Sequence, residues 1–216
     1  RSVDLLATVN DDVEKSLSWL SNNEPAKGAQ LSGALGRYWY IKGTLDGVDK
    51  HWLELACTTN VPIQRRIAAR ACLWLSVADV IPHDGLYRQG LKNANRAMEL
   101  YLEAGDRLGQ AEAHRIKGHN YRGLGKFPDA YIECQAARRV YSEADDHIGQ
   151  ALTLDSLNYF QPIELKDITW PKKLEWRLRA SKLFREIGNE KRMGEHEEKL
   201  LWDIPRIPVS GNEKAI

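Results

Sequence analysis

A stretch of twelve residues occurs twice in this chain, 40 residues apart and without a gap. Residues 100–111 read LYLEAGDRLGQA and residues 140–151 read VYSEADDHIGQA, and a weaker third copy, LFREIGN, begins at Leu183. Self-similarity at a period of about 20–50 residues is typical of stacked helical or strand units that cannot bury their apolar faces alone. The repeat therefore predicts an architecture built by stacking one motif.

Apolar residues recur at helical spacing along most of the chain, and strand signals are nearly absent. Gly43, Gly85 and Gly125 are spaced 42 and 40 residues apart and mark turns between helices. The pattern predicts an N-terminal helix, four helix pairs and a last helix, at Val3–Leu20, Ala26–Lys42 with Leu45–Cys57, Pro62–Val80 with Leu86–Ala104, Leu108–Leu124 with Pro128–Ala144, Ile148–Tyr159 with Pro171–Ile187, and Asn189–Trp202.

Three regions follow from this map. We expect residues 1–24 to hold the N-terminal helix, residues 25–202 the helical repeat, and residues 203–216 a flexible C-terminal tail. Between Phe160 and Trp170 the sequence QPIEL replaces the glycine turn, which predicts a longer loop or an irregular turn. The chain begins Arg1-Ser2 without a Met, so we expect it to be part of a longer protein.

The repeated positions resemble the tetratricopeptide repeat. In the best copy, between Ala111 and Tyr141, a small residue and an aromatic precede a glycine turn, and an aromatic and two alanines follow it. The matching residues are Gly118, Tyr121, Gly125, Phe127, Ala130 and Ala137 in this copy, Gly36, Trp39, Gly43 and Leu45 in the first, and Trp74, Ala78, Gly85, Tyr87, Ala94 and Ala97 in the second. The resemblance implies an all-α, right-handed superhelical solenoid of about four helix pairs plus terminal helices.

Several phrases resemble a more specific family, the LuxR-type and antibiotic-regulatory (SARP-type) bacterial transcription regulators with a STAND ATPase core. They are the first helix ending in Trp19-Leu20, the segment Gln30–Gly43 with its aromatic run, the phrase Trp52–Ala56, and the phrase Glu103–Ala111. The resemblance implies a cytoplasmic sensor arm that follows a nucleotide-binding switch and receives a protein, a peptide or a small-molecule inducer. Such a partner includes another domain of the same parent chain.

Composition restricts the classes of function. Thirty-one Lys and Arg nearly balance thirty Asp and Glu, so the chain lacks the overall basic charge of a nucleic-acid-binding domain. No apolar run is long enough to span a membrane. Cys57, Cys72 and Cys134 are odd in number and form no CxxC pair, so we interpret all three as small buried side chains in a reducing compartment.

No pattern of catalytic or metal-binding residues emerges from the sequence. Gly125-Lys126 lacks the Ser or Thr and the first glycine of a phosphate loop. His114 and His119 are five residues apart, which is unfavourable for two ligands on one helix face, and His196 lacks the second His of a zinc protease motif. We therefore predict no enzyme activity, cofactor or metal on this chain, and interpret these histidines as surface or half-buried residues.

Binding residues follow from the tetratricopeptide resemblance, because the first helices of such pairs line a concave groove. The candidates are Arg37 and Tyr40 in the first unit, Asp79 in the second, Glu112, Arg115, His119 and Arg122 in the third, and Leu152, Asp155 and Tyr159 in the fourth. The third set forms one polar stripe along its helix. It is either a plain solvated face or a surface that binds a carboxylate-bearing peptide through the bidentate fork of arginine.

Two alternatives to the regulator remain: a free-standing peptide receptor of the quorum-sensing type, and an assembly scaffold or co-chaperone. A basic surface made of Arg65, Arg66, Arg70, Arg138 and Arg139 could also contact DNA. Phosphate contacts without a DNA-reading motif would be weak and salt-sensitive, so we do not favour direct nucleic-acid binding.

Overall fold

The computed structural model describes residues 10–42, 47–58, 65–78, 86–160, 165 and 168–203. Within these ranges the chain forms ten α-helices and no strand, which confirms the all-helical prediction. The helices are α1 (Asn10–Asn23), α2 (Pro25–Lys42), α3 (Gly47–Thr58), α4 (Arg65–Ala78), α5 (Tyr87–Glu103), α6 (Arg107–Gly123), α7 (Phe127–Glu143), α8 (His147–Asn158), α9 (Trp170–Glu186) and α10 (Glu190–Asp203).

The helix bounds agree with those predicted from apolar spacing to within three residues from α2 onward. The first helix is described from Asn10 and continues to Asn23, beyond its predicted end. The turn residues Gly43, Leu45 and Gly85, the groove candidate Asp79, most of the 161–167 segment and the tail after Asp203 lie outside the described residues.

The first copy of the repeated stretch joins α5 to α6 through a defined set of hydrogen bonds. Asp106 caps α6, because its carboxylate accepts a hydrogen bond of 2.9 Å from the Gly109 amide. The Asp106 amide donates to the Tyr101 carbonyl at 3.0 Å, and the Gln110 side chain donates to the same carbonyl at 3.5 Å. In the second copy the same three bonds measure 2.9, 2.9 and 3.3 Å and involve Tyr141, Asp146, Gly149 and Gln150.

The third copy, between α9 and α10, keeps the backbone of this junction but changes its packing. Asn189 takes the capping position and donates from its amide to the Phe184 carbonyl at 2.8 Å. The residue before each cap has a positive φ, at 63° for Gly105, 52° for Asp145 and 71° for Gly188. Where the first two copies have Gly109 and Gly149 against a tyrosine ring, the third has Arg192.

Contacts between helices divide the chain into two compact units, Arg1–Leu124 and Gly125–Ile216. In the first unit α4 packs on α2, α3, α5 and α6, and two apolar clusters form its interior. Trp39 is 1% exposed in the first cluster, and Trp52 and Trp74 pack against that cluster half-buried, which agrees with their predicted core positions. In the second unit α9 packs on α8 and α10, and Trp176 is buried.

The interpretation of all three cysteines as free side chains is wrong for two of them. Cys57, in the last turn of α3, forms a disulfide with Cys72 of α4, and their Cα atoms are 5.1 Å apart. Cys134 is a buried free thiol, as expected. The linear sequence places Cys57 and Cys72 fifteen residues apart without a diagnostic motif, and only the packing of α3 on α4 brings their side chains together.

Candidate functional site

The predicted polar stripe lies along α6 of the first unit, and its two N-terminal members are paired with each other. Arg115 donates from Nε to Glu112 Oε2 at 3.0 Å and from Nη2 to the other carboxylate oxygen. The two side chains retain 18% and 26% of their accessible surface, so both ends of the pair can be reached from solvent. Arg115 thus already holds a carboxylate in its fork, and that carboxylate belongs to the chain itself.

The other two stripe residues lie one turn further along α6. Arg122 Nη2 is 3.5 Å from His119 Nδ1, and the His119 ring is 6.5 Å from the Tyr87 ring of α5. His119 is exposed and Arg122 half-buried. Two guanidinium groups, an imidazole and a phenol ring therefore share one edge of α6, with Glu112 as the acidic side chain of the stripe.

The surroundings of His119 disfavour its protonated form. Desolvation by neighbouring atoms, followed by the positive charges of Arg122 and Arg115, lowers the pKa of His119 to about 4. The outer face of the side chain is exposed to solvent, so we give the two arginine charges more weight than desolvation. The imidazole is accordingly neutral at pH 7 and can donate or accept one hydrogen bond beside the two cations.

Asp155, a predicted groove residue on α8, lies in an intrachain ion pair of the second unit. It is 8% exposed, and its carboxylate accepts a hydrogen bond of 2.7 Å from Arg192 Nη1 of α10. His196 Nε2 lies 3.2 Å from the other carboxylate oxygen, although neither ring nitrogen of His196 makes a hydrogen bond of normal geometry. The structure thus places this side chain between α8 and α10 and not on an open surface.

These contacts also set the charge state of Asp155. Burial alone would raise the pKa of the carboxyl group, but the close contact with His196 and the positive charges of Arg192, His196 and Lys199 lower that pKa below its ordinary value. His196 itself is 1% exposed and stacks on Phe184 with 5.5 Å between ring centres. The interpretation of His196 as a surface or half-buried residue is therefore wrong.

Sequence reasoning missed this cluster because its members come from different helices. Arg192 and His196 are four residues apart, so they lie on one face of α10, but the neighbouring acidic and basic residues hide that face in the sequence. One signal was available: at the third junction Arg192 occupies the position of Gly109 and Gly149, which indicates a change of packing there.

The remaining groove candidates are less informative. Tyr159 follows α8 and is 47% exposed, with Lys199 Nζ 5.5 Å from the centre of its ring. Leu152 lies on α8 and is half-buried. Arg37 and Tyr40 belong to α2, and their side chains lie outside the described residues.

The arginines considered for DNA binding at the start of α4 are engaged within the first unit. Arg65 Nε donates to Glu103 Oε2 at 2.7 Å, and Arg66 Nε lies 3.4 Å from Asp106 Oδ2. These contacts neutralise part of the basic charge that a phosphate backbone would need. On α7, Arg138 and Arg139 line a hollow of about 420 Å³ with Gln135, Ser142 and Glu143.

Within the described ranges, no three His, Cys, Asp or Glu side chains are grouped so that they could hold a metal ion. Among the helices searched in those ranges, none has the length and apolarity to cross a membrane. The chemistry that the α6 stripe offers is hydrogen bonding and charge, through guanidinium donors that can bind a carboxylate. A comparison with models of known protein families finds no match to this chain, and a comparison with curated protein sequences finds none either.

Proposed function

We propose that this chain is a non-catalytic, protein-binding helical repeat of the tetratricopeptide type, and that it binds a carboxylate-bearing segment of a partner at the α6 stripe, defined here as Glu112, Arg115, His119 and Arg122. The observation that carries the proposal is the repeated helix junction. The same capping bond and the same pair of bonds to a tyrosine carbonyl occur at residues 101–110 and 141–150. A unit that repeats in structure favours stacking, and stacked helix pairs typically present extended binding surfaces.

The chemistry of the stripe supports the choice of ligand. Arg115 binds a carboxylate within the chain, which indicates that its position and rotamer suit this group. Arg122 adds a second cation about two turns along the helix, and the neutral His119 between them supplies a hydrogen-bonding group without added repulsion for a cation. An acidic segment lying along α6 could therefore contact both arginines.

Binding of a fluorescein-labelled hexaglutamate peptide, measured by fluorescence anisotropy, tests the proposal. We expect saturable binding that weakens as salt is raised and becomes at least about tenfold weaker in Arg115→Ala/Arg122→Ala, since each charged hydrogen bond contributes about 1.5–3 kcal/mol. Arg138→Ala/Arg139→Ala on α7 is the matched control and should bind as the wild type does. Equal losses in both double variants would mean non-specific charge attraction and would overturn the proposal.

We further propose that this repeat is the sensor arm of a bacterial signal-transducing transcription regulator of the STAND ATPase type. The support is the resemblance carried by residues 30–43, 52–56 and 103–111. Sequencing the reading frame upstream of the codon for Arg1 tests it. A phosphate-loop motif in that frame would support the regulator. A start codon directly before Arg1 would overturn it in favour of a free-standing peptide receptor or an assembly scaffold.

A further inference from the structure

The Cys57–Cys72 disulfide lies where the two apolar clusters of the first unit meet. Cys57 packs against the cluster that contains Trp39 and Leu53, and also against the cluster that contains Cys72 and Tyr101. The bond joins the last turn of α3 to the middle of α4, and α3 packs on α2 and α4. Among the contacts that hold α3 in place, this one is covalent and can be made or broken by chemistry.

The two sulfur atoms differ in access. Cys72 is 0% exposed, whereas Cys57 is half-buried at the end of its helix. Thiol–disulfide exchange requires an attacking thiolate to reach one sulfur along the S–S axis, so access decides which sulfur is attacked. An external thiolate therefore meets Cys57 Sγ first, and Cys72 becomes the leaving thiolate.

We propose that Cys57 and Cys72 form a reversible thiol–disulfide clasp that controls how tightly α3 is docked on α4. In the opening reaction a dithiol attacks Cys57 Sγ, a mixed disulfide forms there, and Cys72 leaves as a thiolate and takes a proton from water. The second thiol of the reductant then attacks its own sulfur in the mixed disulfide and releases Cys57. The reductant ends as a cyclic disulfide and the protein gains two thiols. The closing reaction with glutathione disulfide consumes both thiols and yields two reduced glutathione molecules.

The effect on α3 follows from chain entropy. A bond across fifteen residues limits the open conformations of the segment it encloses, and for a loop of that length the limit corresponds to a factor of roughly 100 in the opening equilibrium. The reduced form therefore exposes the α3 face that carries Leu53 and Ala56 more often than the oxidised form does. This inference does not depend on the proposed ligand of the α6 stripe.

Thiol mapping of the full chain tests the chemistry. After equilibration with glutathione disulfide under native conditions, we expect the intact mass to fall by two hydrogen atoms and Cys134 to be the thiol that is alkylated after unfolding. Brief native treatment with dithiothreitol, followed by iodoacetamide, should then label Cys57 ahead of Cys72. Three alkylatable cysteines after the glutathione treatment, or earlier labelling of Cys72, would overturn the proposal.

Amide hydrogen exchange of the wild-type protein tests the conformational effect without any variant. We expect amides of α3 to exchange roughly 100-fold faster in the reduced form than in the oxidised form. Amides of α9, in the second unit, are the internal control and should exchange at the same rate in both forms. Equal protection of α3 in both forms would show that the bond does not control its docking and would overturn the clasp.

Discussion

Asn120 Nδ2 lies 3.1 Å from Ser76 Oγ, and this contact ties α6 to α4 in the interior of the first unit. The same amide donates to the Ile116 carbonyl at 2.9 Å, and the Ser76 hydroxyl donates to the Gly90 carbonyl of α5 at 2.6 Å. Asn120 and Ser76 are both 0% exposed. A polar network thus joins three helices where apolar contact alone would allow them to slide.

Replacing Asn120 should destabilise the first unit. In Asn120→Ala the Ser76 hydroxyl loses one buried partner and the side chain leaves a small cavity, so we expect a loss of about 1–3 kcal/mol in the free energy of unfolding. Urea denaturation followed by circular dichroism measures it. Asn22→Ala, at an exposed position of α1, is the control and should change the stability by less than about 0.5 kcal/mol. Equal stabilities of the two variants would contradict the role given to the network.

The close approach of α5 to this network predicts opposite effects of the same substitution at two glycines. A Cβ at Gly90 would overlap Asn120 Oδ1 and lie 3.0 Å from the Ser76 carbonyl oxygen, whereas a Cβ at Gly194 of α10 would meet no atom within 4 Å. We expect Gly90→Ala to lower the melting temperature. Gly194→Ala should raise it, since alanine stabilises a helix interior by up to about 1 kcal/mol relative to glycine. Thermal unfolding of both variants checks the pair, and a stabilised Gly90→Ala would show that the interior is looser than described.

Stability in acid should depend on Asp155. Because the pKa of this carboxyl group is lowered in the folded protein, its contribution is present above about pH 4 and is lost as the pH falls through the folded pKa. Asp155→Asn leaves Arg192 and His196 without their anion, so we expect a loss of about 2–4 kcal/mol at pH 7 and a smaller loss at pH 3. Urea titrations at the two pH values measure this, with the exposed Glu198→Gln as control. The same deficit at both pH values would contradict an ionic role.

The His119 ring should report the charge around it. We expect its NMR titration to have a midpoint near pH 4, well below the ordinary value of 6.5. Arg122→Gln removes the nearer positive charge and should move the midpoint upward, whereas Arg138→Gln on α7 should leave it unchanged. Since the unfolded chain binds this proton more readily, His119 reduces stability as the pH falls below 6.5. A midpoint at 6.5 in the wild type would mean that the arginines do not act on this ring.

Removing the internal carboxylate of the stripe should strengthen binding of an acidic peptide. Glu112 occupies the fork of Arg115, so Glu112→Gln keeps the shape of the side chain and removes its competing charge. We expect hexaglutamate to bind about 3–10-fold more tightly, a gain of roughly 1 kcal/mol, which lies in the usual range for one exposed ion pair. Glu143→Gln on α7 is the matched control. Weaker binding in Glu112→Gln would mean that Glu112 positions Arg115 and does not compete for it.

The fold was accessible from the sequence because its signals are local. Asp106 and Asp146 precede helices, Gly105 and Gly125 follow them, and the spacing of apolar residues fixes the intervening lengths to within a few residues. Each of these signals acts over less than two helical turns, so it can be detected without knowledge of the packing.

The contacts between helices could not be predicted in the same way. Asp155 occupies the position of Arg115 in the repeat, and the slot alone suggested an exposed groove residue, yet Arg192 and His196 of a later helix cover it. The pairing of Cys57 with Cys72 also depends on which helices are neighbours. Such partners are separated by 15 to 41 residues, and periodicity does not determine which faces meet.

The central claim, that the α6 stripe is the binding surface, is tested most directly by NMR mapping of the isotope-labelled chain with hexaglutamate. We predict that the largest amide shift changes fall on residues 112–122, that Arg115→Ala/Arg122→Ala abolishes them, and that the His119 titration midpoint rises on binding. Changes centred on Arg138 and Arg139 of α7, or no saturable changes at all, would contradict the account.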